Sequence, residues 1–379
     1  MKEKLFSALI VLFPIFSLYG IYLGAVTLAD LLLLIISIPL YYTLLKNRVT
    51  IKAFISPLFL IYSIYIIIQF FFAAADSRNW SDMLFRTLRY AYYTITIALL
   101  IKKFFLFEYA EKIYKIVAFF SVIFIIIQTL SFLLGGYYIQ GYVPFLPVMR
   151  TELVDFSQNI GLDGGDTRPR SIFGEPAHYS QFVLGYLSIL LFSSKTSKWT
   201  FLGAIFLTFG LLLSVSSTGI LGAFFIWLIW GGREVRKIKY NNVFYLLVLV
   251  PILYACYQLP FFQFFLERME AGSSSSGRFS GYSYLMNDVN YTLSEVFWGH
   301  GMQLSFDKYL PGFANIYWYF GLVGLSIFML TILVAFGEGI TKQKIILLMF
   351  LFLNLGTEIA VGPFLLLYMS FVLTKSVKV

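Results

Sequence analysis

The chain is 379 residues long, 59% hydrophobic and 12% charged, with a mean hydropathy of +0.82 and a net charge of +9. Soluble domains carry roughly a quarter charged residues, so this composition excludes an ordinary soluble protein, and repeated apolar runs of about 20 residues read as membrane-spanning helices. One cysteine, Cys256, excludes an internal disulfide and a cysteine-based metal cluster, and two histidines argue against a His-rich metal site.

The first segment is too long and too little cleavable to be a signal peptide and reads as a retained helix. Helices are predicted at 5–23, 28–45, 53–75, 83–101, 113–134 and 176–194, then at 199–214, 217–231, 242–258 and 312–336. A last apolar block, 345–374, is too long for one ordinary span. Asn354-Leu-Gly-Thr-Glu358 and Gly362-Pro363 interrupt it, so it reads as two short helices with a turn. The expectation is an all-α, polytopic integral membrane protein of about twelve transmembrane helices. It forms one domain over 1–379, with both termini cytoplasmic.

Charge placement supports that topology. Nineteen of the 28 basic residues fall on the side assigned as cytoplasmic, as the positive-inside rule expects, and nine fall outside. Lysine dominates inside, whereas eight of the nine outside are arginine, among them Arg86, Arg89, Arg168, Arg170, Arg268 and Arg278. Arginine suits bidentate recognition of phosphate or carboxylate; the bland alternative is lipid head groups and local ion pairs. The charge of +9 is therefore not read as a nucleic-acid signature.

Two extracytoplasmic segments are long enough to do chemistry. The first, 135–175, is rich in Gly, Tyr and Pro and ends in Arg168-Pro-Arg170-Ser-Ile-Phe-Gly-Glu175-Pro176. The second, 259–311, holds Arg268, a Gly272-Ser-Ser-Ser-Ser-Gly277 run that reads as a flexible linker, Arg278, and Gly299-His300-Gly301.

Pro176 suits the first position of a helix, which puts Glu175 at the helix mouth. Two readings of Glu175 stay open: a cap or salt bridge with Arg170, or a general base held as the anion by the helix dipole. His178, about one turn on and on the same face, is an alternative base, as is His300 between its glycines, where a backbone can approach a ligand closely. Arg86 and Arg89 share a face at the start of the fourth helix. They read either as functional charges or as snorkelling side chains. Ser214-Val-Ser-Ser-Thr218-Gly219 reads as a structural break that widens a cavity. The outer connection near Gly20–Ala29 is short, with only Asp30 nearby, and no Gly-rich phosphate loop with a lysine is present.

At these residues the chain resembles the Wzy-type polysaccharide polymerases, in the superfamily with O-antigen ligases. The resemblance rests on five features and their order. They are Arg170-Ser-Ile-Phe-Gly-Glu175-Pro176, the Ser216-Ser-Thr218-Gly219 turn, Arg278 after the Gly/Ser stretch, Gly299-His300-Gly301, and Asn315-Ile-Tyr-Trp-Tyr-Phe-Gly321-Leu-Val-Gly324. It implies a GT-C-like fold and metal-independent glycosyl transfer, with no cofactor, on the outer face of a bacterial inner membrane. The donor would be a glycan on undecaprenyl diphosphate and the acceptor a second lipid-linked repeat unit; a chain-length regulator and a flippase are implied partners, and nucleic acid is not. Glu175, Arg170, Arg278 and His300 would be catalytic. Arg86, Arg89, Arg168, His178, Tyr179, Arg268 and Asn315 would bind substrate. The ligases look as though they carry a histidine just before the Asn that starts the late helix; here that residue is Ala314, which favours a polymerase. Rival readings are an O-antigen ligase and a lipid-linked oligosaccharide flippase.

Overall fold

Long apolar runs can satisfy their backbone polar groups only within themselves or in closed sheets, and this chain takes the helical solution. The structure, a computed structural model, describes residues 1–21, 26–46, 56–73, 80–137, 139–143, 145–148, 169–193, 197–235, 275–287, 289, 292–302 and 309–374. Its helices are α1 (Lys2–Phe16), α2 (Leu28–Lys46), α3 (Pro57–Ala73), α4 (Trp80–Thr96), α5 (Phe107–Gly135), α6 (Pro176–Leu191) and α7 (Lys198–Leu213). They continue with α8 (Ser217–Val235), α9 (Ser275–Asn287), α10 (Leu293–Trp298), α11 (Gly312–Glu338), α12 (Thr341–Asn354) and α13 (Phe364–Leu373). Among the described residues extended pairing is confined to two isolated bridges, Tyr19 with Val148 and Gly20 with Thr27.

Three of these helices, α2, α5 and α11, are long and apolar enough to cross a membrane. On α5, Ile116, Phe120, Ile123, Ile127, Leu130 and Leu134 form an exposed stripe, while Tyr114, Ala118, Val122, Ile125 and Gln128 are buried. A helix that is apolar on its outward face as well as its inward one needs an apolar solvent. The chain is accordingly a membrane-associated helical protein.

The expected split of the last apolar block is present as α12 and α13. The expected helix at 242–258 lies outside the described residues. The helix expected to end at 101 is π-helical over its last part, Ile97–Ile101, and runs on for one further turn, Lys102–Phe104. There the Ala98 carbonyl accepts from Ser56 N–H at 3.0 Å instead of serving only its own helix. The described end of the Gly272–Gly277 run is not linker: Ser275, Ser276 and Gly277 open α9, which also carries Arg278. Tertiary contact overrides local propensity here. Gly281 lies against the Tyr309 carbonyl, and Leu285 joins Leu310 and Ala314 in a small separate core.

Connections sort to two ends. At one end Ser7 accepts from Leu106 N–H at 2.8 Å, Lys342 pairs with Glu111 at 2.9 Å and Lys102 with Glu338 at 3.8 Å. At the other, Gly20 N–H donates to Pro147 at 2.8 Å and Gln69 reaches the Trp298 carbonyl at 3.0 Å. The first set joins segments expected on one side of the membrane and the second joins segments expected on the other.

At the centre stands α6. Thirteen of its sixteen residues are buried, so it is a core helix rather than a lipid-facing one. It packs against α5, α7, α8, α12 and α13. The Ser214–Gly219 turn closes on it rather than opening a cavity, because a side chain at Gly219 would strike Ser180.

Candidate functional site

The turn before α6 is built backwards from the core. Phe173, 1% exposed, packs on Phe182 at 5.1 Å. Gln128 of α5 pins the turn: its Oε1 accepts from Ser171 N–H at 2.8 Å and Arg170 N–H at 3.3 Å, and its Nε2 donates to the Ser171 carbonyl at 3.3 Å. Ser171 is held at a φ of 59, a left-handed conformation that costs a non-glycine residue about 1–2 kcal/mol. Arg170 is 3% exposed, donates through Nη1 to the Gly174 carbonyl at 2.7 Å, and lies over the Tyr142 ring at 5.1 Å. This sequence of contacts delivers an extended Glu175 as N-cap, with Pro176 in the first helical turn.

Neither bland role of Glu175 is realised. Its side chain makes no capping bond, and among the described residues it forms no ion pair with Arg170. His178, half-buried, sits with its ring 6.0 Å from Phe364 at the start of α13.

That contact brings in a residue the sequence reading treated only as a helix breaker. Glu358 lies in the turn between α12 and α13. The turn is fixed by Gly312 N–H donating to Thr357 at 2.8 Å, Ala360 N–H donating to Asn354 Oδ1 at 3.0 Å, and Tyr90 Oη donating to Ala360 at 3.1 Å. Tyr90 follows Arg86 by one turn of α4, so the same helix face carries the arginine to this place. Glu358 keeps accessible surface, yet burial pushes its carboxyl up to about 7, with His178 and Arg86 pulling it down and Glu175 pushing it up. The carboxyl is thus crowded by neighbouring protein and still reachable from solvent. The signal was present in the sequence: an ionisable residue inside an apolar block is functional by default.

Other candidates are placed elsewhere. Arg89 turns to Asp30 of α2, with Nη1 at 3.8 Å from Oδ2. Asp30 also accepts from Thr27 N–H at 2.9 Å and from Tyr93 Oη. Tyr179 is fully buried, with its hydroxyl against Gly210. Asn315, 4% exposed, donates to the Leu310 carbonyl at 2.7 Å and so secures the start of α11. Arg168, Arg268 and the side chain of Arg278 lie outside the described residues.

His300 belongs to a different construction. α11 breaks at Gly321 (φ 63, ψ −168), which frees carbonyls that must find new donors. His300 N–H donates to Trp318 at 2.8 Å, Gly301 N–H to Tyr319 at 2.9 Å, Gln69 Nε2 to Tyr319 at 3.0 Å and Tyr65 Oη to Phe320 at 2.6 Å. Gly299 and Gly301 permit close approach, but to α11 and to Met83 and Ala73 rather than to a ligand. The His300 ring stacks on Trp318 at 3.7 Å and its Nε2 is 3.5 Å from Glu295. Among the described residues no group of three His, Cys, Asp or Glu side chains stands close enough together to hold a metal ion.

The arrangement at the mouth of α6 brings cations, two carboxylates and an imidazole near one another, with Glu358 accessible. Such a set can bind an anion and move a proton. Comparison with protein-family models, curated proteins and solved structures finds no match to this chain.

Proposed function

We propose that this chain is a membrane glycosyltransferase, a Wzy-type polymerase joining undecaprenyl-diphosphate-linked repeat units into O-antigen, capsular or exopolysaccharide. The observation that carries the reading is the meeting of Arg86, Glu175, His178 and Glu358, from three parts of the bundle, beside buried Arg170 at one end of an apolar exterior. A lipid-linked substrate needs such an exterior to enter sideways and a polar site at its end.

In the reaction, the acceptor hydroxyl oxygen attacks the anomeric carbon of the donor and the bond to the diphosphate breaks. Negative charge grows on the departing diphosphate, and guanidinium groups meet two of its oxygens at once. Preorganised donors of this kind are commonly worth about 3–4 kcal/mol each. A carboxylate or imidazole takes the hydroxyl proton. With this function go about twelve transmembrane helices in a GT-C-like arrangement, cytoplasmic termini and an active site on the outer face of the bacterial inner membrane. The substrates are two lipid-linked glycans, and a chain-length regulator and flippase are the expected partners.

One observation favours a second reading. Glu358 is an ionisable group at a helix interruption, a placement also expected of a transporter. The experiment that separates the two uses purified protein in nanodiscs and proteoliposomes with a defined lipid-linked repeat unit. A ladder of polymer supports the polymerase, whereas translocation without new glycosidic bonds makes the chain a flippase. A cysteine at Phe145, in a Cys256→Ser background, should label in intact cells, and one at Lys198 only after lysis; the reverse pattern inverts the topology.

A further inference from the structure

Resting on the polymerase reading, we propose that Glu358 is the base of the transfer, taking the proton from the acceptor hydroxyl while Glu175 and Arg86 position the reacting groups.

Three observations carry this. The first is selective access. Thr357, Ile359 and Ala360 are 2%, 1% and 0% exposed, and Glu358 between them is open. The second is rigidity. The Glu358 turn is tied to α11 through Gly312, to α12 through Asn354 and to α4 through Tyr90. A catalytic carboxylate must be held this way, because small misplacements are expensive in rate. The third is company. α6 presents Glu175 and His178 to Glu358, and α4 presents Arg86. α4 also contributes Tyr90, and α11 contributes Tyr319, which feels both Glu358 and Arg86.

The step balances without a further reagent. The hydroxyl oxygen forms the new bond to the anomeric carbon, the old carbon–oxygen bond breaks, the diphosphate departs with that electron pair, and the proton passes to the Glu358 carboxylate. Burial supports the role by holding that carboxyl near neutrality, where a general base is most effective. Glu175 instead sits at the N-terminal mouth of α6 with its side chain making no capping bond, a placement that suits an orienting group.

The test is turnover of the lipid-linked repeat unit by purified Glu358→Gln, Glu358→Asp, Glu175→Gln and His178→Gln proteins across pH. Glu358→Gln should lower kcat by about 10²–10⁴-fold with KM little changed, and Glu358→Asp should recover part of the loss. The wild-type rate should rise with pH through about 7, and that limb should vanish in Glu358→Gln while persisting in His178→Gln. Wild-type turnover in Glu358→Gln, or loss of the limb in His178→Gln instead, overturns the assignment while leaving the polymerase reading intact. If wild-type protein makes no polymer, the polymerase reading itself fails and this assignment with it. Should Glu358→Gln not fold, the limb decides alone: persistence in both His178→Gln and Glu175→Gln supports Glu358, and loss in either assigns the base elsewhere.

Discussion

Two Glu–His pairs lie at the same end of this molecule, and they meet opposite fates. Glu295 closes a capping box with Thr292 and reaches His300, which is itself stacked on Trp318. These contacts serve the fold, seating α10 on the break in α11. Glu175 makes no capping bond, and His178 stands beside Phe364 facing Glu358. Local sequence is similar in kind: each pair flanks a short helix start or end and a glycine. What separates them is use: the Glu295 side chain caps its own helix start, whereas the Glu175 side chain makes no capping bond at the start of α6.

The contrast can be broken most easily by turnover. Glu175→Gln should keep normal protein yield and lose about 10²-fold in rate as the reacting groups lose their alignment, measured as polymer formed per protein. Arg170→Ala should also abolish polymer, and Arg170→Lys should restore only part. Near-normal polymer from Glu175→Gln would make both pairs structural.

Next in size is Gly321→Ala, which acts on the second region alone. A side chain there would collide with the Phe297 carbonyl, and positive φ by itself costs about 1–2 kcal/mol. Thermal stability in nanodiscs should fall by more than that, with kcat of the surviving fraction unchanged. A stability matching wild type would mean that α10 does not seat on the break.

His300→Gln should cost about 0.5–1.5 kcal/mol through the lost stack and leave kcat intact. Its signature is in pH. Burial holds the His300 imidazole below its ordinary value despite the pull of Glu295. The unfolded state therefore takes up its proton first, and stability is lost as pH falls through about 6.5. The variant should lack that acid slope. Glu358 works with the opposite sign. Its folded pKa of about 7 exceeds the unfolded value, so its cost is absent at pH 4 and full above pH 7. Glu358→Gln should thus gain stability over wild type at pH 8, and the gain should vanish by pH 4.

The smallest effect sharpens what a used cap looks like. Ser197 accepts from Thr200 N–H at 3.2 Å at the start of α7. Ser197→Ala should cost about 0.5–1 kcal/mol of stability and nothing in turnover, the mirror image of Glu175→Gln. Equal effects on both quantities in both variants would erase the distinction.

Much of the architecture was legible because lipid imposes it. Apolar runs gave the helices, three of which are long and apolar enough to cross a membrane, Pro176 gave the start of α6, and Gly362-Pro363 gave the split between α12 and α13. The sites were less legible. A glycine flanking a histidine signals close approach, but sequence does not say whether a ligand or a neighbouring backbone approaches, and at Gly299 it is α11. α9 was hidden because its sequence lacks an apolar stripe and its stability comes from Leu310 and Ala314, distant in sequence. Glu358 was visible as an oddity and passed over, because a turn explained its place and nothing local revealed that Arg86 and His178 converge there.

The π-helical segment in α4 has a consequence for how this bundle tolerates change. Five residues, Ile97–Ile101, separate a portion that presents Arg86 and Tyr90 towards Glu358 from one that sets Lys102 against Glu338 and Phe105 against Phe371. The wider turn works as a bulge that absorbs one surplus residue without disturbing the angular setting of the portions on either side. A π turn carries about one residue more than an α turn, so deleting one of the five closes the bulge into an ordinary α-helix and leaves the arginine end and the lysine end in phase. Shortening the chain by one residue should therefore be tolerated here better than in the α-helical portions, where it would rotate one end against the other by about 100°.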